Sequence, residues 1–101
     1  MNLLELQEWV RADWEQHSPV RPDPHMQLLY LFEELGEMAE AIRQRSGQKE
    51  HATHTTDLGE EMGDVLVALA TVANNYQVDL EEAFEKARAK IEARHKLGTE
   101  A

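Results

Sequence analysis

The sequence predicts an all-α protein, an antiparallel four-helix bundle-like protomer, on three observations. Apolar residues recur at helical spacing in four segments, no useful length of chain alternates as a strand does, and proline, glycine or polar stretches separate the segments. With 101 residues, residues 1–101 are expected to form one domain. A chain this short leaves much of its surface uncovered when it folds alone, so self-association is expected.

The first helix is expected over about Leu3 to His17, ahead of "SPVRPDP", whose prolines cannot sit inside a helix. Asp23 and Pro24 make an N-cap and first-turn pair for a second helix, which runs to about Ser46 and stops at Gly47. The stretch "GQKEHATHTT" from 47 to 56 is polar and aperiodic, a loop in which His51 and His54 are exposed. A third helix begins near Asp57, with Glu60 placed for a capping box. Asp79 with Glu82 repeats that pattern at the start of a fourth, which ends near Gly98.

Twenty acidic residues against ten basic ones give a formal charge of −10. That balance argues against nucleic acid or an anionic membrane as partner and favours cations. The absence of cysteine excludes disulfides, thiolate zinc sites and thiol nucleophiles. The start lacks a basic n-region and the longest apolar run, Val65 to Ala73, is too short to span a bilayer. A soluble, cytoplasmic protein is therefore expected.

The second and third helices share a device. "EELGE" at 33–37 and "EEMGD" at 60–64 match at nearly every position. Taking Glu34 as zero on a helical wheel, Leu28, Leu31, Leu35, Met38 and Ile42 cluster around +80° and Glu37 falls at about −60°. Taking Glu61 as zero, Leu58, Met62, Val65, Leu69 and Val72 lie between about +20° and +100°, with Asp64 again at about −60°. One such copy is a common solvated acidic face. Two copies with one spacing, both edging an apolar stripe, point to a site at which Glu34, Glu37, Glu61 and Asp64 converge.

Like charges one turn apart repel by roughly 0.2 to 0.5 kcal/mol per pair on an exposed helix, and burial raises the cost. A cation would offset it. All-oxygen ligation suits a hard ion, Mg2+ or Mn2+, and Mg2+ completes its shell with water and substrate phosphates. Gly36 and Gly63 each cost about 1 kcal/mol relative to Ala inside a helix, so close backbone approach or ligand room is expected there. Glu33 and Glu60 fall farther round, at about −100°, and are expected to be solvated or to support the ligands.

The fourth helix carries the complementary charge: Lys86, Arg88, Lys90, Arg94 and Lys96, interrupted by Glu92 alone among acids. Lys90 and Arg94 edge the apolar stripe of Leu80, Ala83, Phe84, Ala87 and Ile91, as contacts to a polyphosphate would require. Complementing the helix dipole would explain Lys96 and Arg94 but not the whole cluster. Trp14 is either a packing residue, the commoner use, or a platform for a base. The lone Glu92, His95 pair falls short of the two a di-iron bundle needs. Val67 and Ala70 lie off the main stripe of the third helix, an apolar surplus that argues for at least a dimer.

Glu-Glu-x-x-Glu at 33–37 followed by Glu-x-x-Asp at 61–64 resembles the MazG-like nucleotide pyrophosphohydrolases. The likeness continues through "DVLVALATVANNYQVDLEEAFEKA" to a basic "KIEAR" at 90–94. It implies an all-α, Mg2+-dependent enzyme, a homodimer or dimer of dimers (homotetramer), that cleaves nucleoside triphosphates to monophosphate and pyrophosphate in nucleotide-pool house-cleaning. By position, Glu34, Glu37, Glu61 and Asp64 would hold metal, Lys90 and Arg94, with Lys86 nearby, would meet phosphates, and Glu33 or Glu37 would take a proton from the attacking water. Arg88 stands where some relatives place asparagine, and Ala68 where an aromatic is often found, two departures that bear on base recognition. The rival enzyme, phosphoribosyl-ATP pyrophosphohydrolase of histidine synthesis, usually shows Tyr-His after the aspartate, which "VLVAL" lacks. A non-catalytic acidic helical interaction module is the other alternative.

Overall fold

The computed structural model describes residues 1–18, 23–47 and 57–100, with side chains to Gly98. All four expected helices are present: α1 Leu3–His17, α2 Pro24–Arg45, α3 Leu58–Asn75 and α4 Leu80–Glu100. The expected loop over 48–56, with His51 and His54, and residues 19–22 of the proline segment lie outside the described residues. No described helix is long and apolar enough to cross a membrane.

Side-chain caps set the helix starts, each worth about 1 kcal/mol. Asp23, Asp57 and Asp79 accept from the backbone N–H of His25 (2.9 Å), Glu60 (3.2 Å) and Glu82 (3.1 Å). At α1, Asn2 accepts from the Glu5 N–H at 2.8 Å while the Glu5 carboxylate accepts from the Asn2 N–H at 3.3 Å, a reciprocal box.

The central element is α3. It packs against α2 on one side and α1 on another, while α4 packs against α1. The residues pairing α1 with α3 run in opposite order, Gln7 with Asn74 and Trp14 with Thr71, so these two helices are antiparallel. The arrangement is more open than the expected bundle. Its radius of gyration is 17.2 Å, against about 13 Å for a compact chain of this length. Every residue of α4 from Arg88 to Gly98 is exposed.

Among the described residues, the buried apolar ones are Val10, Ala41, Ala68, Ala70 and Ala73. Four of the five are alanines, which lets helix backbones approach closely. Ala70 and its neighbours Thr71 and Ala73 are used inside the protomer, because Thr71 and Asn74 turn that side of α3 toward α1. Of the expected apolar surplus, Ala70 is therefore not spare surface, whereas Val67 is exposed as expected. Further exposed apolar surface is formed by Leu28, Phe32, Leu35 and Ile42 of α2 and Met62, Leu66 and Leu69 of α3. A Cβ added at Gly36 or Gly63 would meet nothing within 4 Å, so neither close helix approach nor crowding within the protomer explains that matched pair.

Gln7, 3% exposed, ties α1 to the α3–α4 turn. Its Nε2 donates to Val78 O at 2.7 Å and Asn74 Oδ1 at 3.1 Å, its Oε1 accepts from the Leu80 N–H at 2.8 Å, and Asn74 Nδ2 donates back to Gln7 O at 3.0 Å. Gln7→Leu keeps the volume but strands the Leu80 N–H and Val78 carbonyl. It should cost about 2 to 3 kcal/mol of stability, read as a lower midpoint in urea at unchanged slope.

Candidate metal centre

Each carboxylate helix starts from a cap that fixes its rotation, and the wheel positions then decide what meets. Glu34, Glu61 and Asp64 each offer an oxygen to one small volume, with the three oxygens within 4.8 Å of one another. The Tyr30 hydroxyl feels the charges of Glu34, Asp64 and Glu37 together. Tyr30 and Glu37 lie at about −40° and −60° on α2 and Asp64 at about −60° on α3. Corresponding edges of two packed helices fall on one side of their contact only when the helices run antiparallel. The carboxylates thus occupy one side of the α2–α3 pair and the exposed leucine face the other.

Burial is graded across the cluster. Glu34 is 6% exposed, Glu61 is half-buried and Asp64 is exposed, so the centre has a closed floor and an open rim. Glu34 Oε2 and Glu61 Oε2 are both buried without a hydrogen-bond partner. A buried acceptor left without a donor costs about 1 to 3 kcal/mol, more when charged. A cation held by both oxygens removes that cost, and the all-oxygen donor set fits a hard divalent ion.

Burial pushes the Glu34 carboxyl above its ordinary 4.5, a hydrogen bond from Tyr30 pulls it back, and the Glu37 and Asp64 charges push it up again. The same contact holds the Tyr30 phenol above its ordinary value, through the hydrogen bond to Glu34 first and the Glu34 charge second. Glu37 lies outside the three-oxygen group, yet its charge and a hydrogen bond bear on Glu34. Glu33 and Glu60 are exposed.

The protomer does not bring the basic residues of α4 to this cluster. Lys86 pairs with Glu82 of its own helix at 3.2 Å. Lys90 and Arg94 are exposed on α4, a helix that packs against α1. Trp14 is half-buried, and its Nε1 donates at 3.3 Å to Thr71 Oγ1, whose hydroxyl donates to Val67 O at 2.9 Å. Ala68 is 2% exposed. Like Ala41 it stands seven residues after the glutamate of its repeat and is buried as Ala41 is, so the expected aromatic position is core in this chain.

Two residues escaped the sequence reading. Tyr30 precedes Glu34 by one turn, and its wheel position on the carboxylate side was the available signal. Gln27 interrupts the apolar stripe of α2 at about +20°, is 7% exposed, and has a buried Oε1 without a partner. A polar residue at a stripe position was its signal.

Residues 23–99 match the model of the MazG nucleotide pyrophosphohydrolase domain. The chain is 31% identical over 102 residues to the uncharacterized protein YvdC of Bacillus subtilis (strain 168), covering 93% of this chain and 96% of the relative. It is 37% identical over 75 residues to the uncharacterized protein YpjD of the same strain, covering 72% and 68%. The crystal structure of YPJD from Bacillus subtilis superposes with a TM-score of 0.77 at 32% identity, covering 89% of this chain and 94% of that one. The crystal structure of the Bacillus-conserved MazG protein, a nucleotide pyrophosphohydrolase, does so with 0.75 at 27% identity, covering 90% of each. Four-helix architecture, paired carboxylate motifs and these matches agree, and the chain belongs to the MazG nucleotide pyrophosphohydrolase domain family.

Proposed function

We infer that this protein hydrolyses nucleoside triphosphates to monophosphate and pyrophosphate with Mg2+, or Mn2+ in its place, as cofactor. The observation that carries the reading is the pair of buried, partnerless oxygens of Glu34 and Glu61 converging with Asp64. A bound divalent ion supplies charge to phosphate oxygens and a more acidic water. Glu34 and Glu61 would hold the ion from the buried side and Asp64 from the exposed side, with the Tyr30 phenol beside Glu34. Glu37, beside the cluster but outside its oxygens, is placed to take the water's proton; exposed Glu33 is the alternative base.

The leucine face opposite the carboxylates is the surface we assign to a second copy, giving a homodimer that can pair into a tetramer. In that assembly the exposed half of α4 finds its packing, and Lys86, Lys90 and Arg94 of one copy serve the phosphates bound by the other. Trp14, its N–H spent on Thr71, is assigned first to holding α1 on α3.

A panel of ribo- and deoxyribonucleoside triphosphates and phosphoribosyl-ATP, assayed for pyrophosphate release with and without Mg2+, tests this reading. The expected result is metal-dependent pyrophosphate from nucleoside triphosphates. Release from phosphoribosyl-ATP alone would move the assignment to histidine synthesis, and no release from any of them would leave a non-catalytic module. Light scattering at micromolar concentration should give at least the dimer mass; a monomer would remove the second copy from the site.

A further inference from the structure

Four buried side-chain atoms lack partners among the described residues: Gln27 Oε1, Glu34 Oε2, Glu61 Oε2 and Asn75 Nδ2. The cation accounts for the two carboxylate oxygens. Gln27 needs a separate reason. It is as buried as Glu34, it sits on the same side of α2, and its Oε1 has no hydrogen-bond partner among the described residues.

Its level in the fold is informative. Gln27 lies seven residues before Glu34 on α2, and Thr71 lies seven residues after Asp64 on α3. In an antiparallel pair both steps lead the same way, by two turns or about 10 Å. Gln27, Thr71 and the half-buried indole of Trp14, bonded to Thr71, therefore stand at one level, displaced along the α2–α3 pair from the carboxylates. A nucleotide whose phosphates lie at the carboxylates and which extends toward this level brings its base there. The small side chain of Ala68 lies between the two levels.

We propose that Gln27 reads the nucleobase, its Oε1 accepting a hydrogen bond from an N–H on the edge of the base. The proposal rests on the nucleotide reading above. Cytosine and adenine offer an exocyclic amine, uracil, thymine and guanine a ring imino group, so the ligand class is a base presenting such a donor at that level. Trp14 supplies the apolar wall against which the base lies flat.

Gln27→Met replaces the amide with an apolar group of similar size, so the fold should be retained and the metal-free protein should melt at the same temperature or higher. In the nucleotide panel, kcat/KM for the preferred substrate should fall roughly 10- to 100-fold, the loss of one buried hydrogen bond. The least-preferred substrates should change little, so the spread of preferences narrows. Gln27→Asn, which keeps the amide, should lose less and keep the order of preference. Mn2+ affinity in the absence of nucleotide should be unchanged in both variants. An equal loss on all nucleotides, or none, would overturn the assignment and leave Gln27 a structural residue satisfied by water. A wild-type protein that turns over no nucleotide would remove the underlying reading together with this one.

Discussion

Glu34→Gln should abolish the response to metal and at the same time make the metal-free protein more stable at neutral pH. Activity should fall by at least roughly a hundredfold, beyond the 10- to 100-fold typical of residues that merely support a ligand. The stability change has the opposite sign because burial raises the carboxyl above its ordinary 4.5. A group whose folded pKa is raised contributes fully below its unfolded value and loses that contribution as pH climbs through the folded value. At neutral pH the ionised Glu34 therefore weakens the fold, and a neutral amide of the same shape relieves it. The gain should shrink as the pH is lowered toward 4.5. Wild-type protein, by contrast, should gain about 2.7 kcal/mol from a divalent ion present at a hundred times its Kd, and the variant should not. Melting curves at pH 5 and 7, with and without Mn2+, read both effects. A variant that melts lower than wild type without metal at pH 7, or that still responds to Mn2+, would take Glu34 out of the centre.

Lys90→Met should leave the fold intact and remove most of the activity. The substitution keeps an apolar stem at the edge of the α4 stripe and deletes only the charge. A phosphate contact matters most where negative charge accumulates, so turnover should drop on the order of a hundredfold. Because Lys90 lies on the exposed half of α4, the contact is assigned to the other copy, which adds a sharper test. Glu34→Gln and Lys90→Met protein, each inactive alone, should recover about a quarter of wild-type activity when mixed and allowed to exchange, since half the dimers then carry one intact site. No recovery, with exchange verified by mass, would place Lys90 and Glu34 in the same chain's site. Full activity of Lys90→Met alone, with a small loss of stability, would reduce the residue to a complement of the helix dipole.

The helices were legible because their punctuation is local. Asp23 with Pro24, Asp57 with Glu60 and Asp79 with Glu82 each fix a start within a few residues, and no distant contact is needed to read them. The convergence of Glu34, Glu61 and Asp64 was legible for a related reason: a repeated motif on two stripes that must pack puts its carboxylates together. What could not be read was where α4 lies. Its apolar stripe states that it packs against something, not against which helix, and Gln7 settles that by binding the Leu80 N–H across more than seventy residues of sequence. The same limit applies to Ala70, whose partner is α1 in this chain and not a second copy.

The Gln7 knot also orders events during synthesis. The residues that receive α1, Thr71, Asn74, Val78 and Leu80, lie in the last turns of α3 or just beyond it. As the chain leaves the ribosome, α1 therefore emerges well before its seat is made. At about 5 to 20 residues per second, the roughly sixty residues that separate α1 from that seat take seconds to be made. A helix of fifteen residues is marginal alone in water, so α1 is expected to fray during that interval, with Val10 and Trp14 still facing solvent.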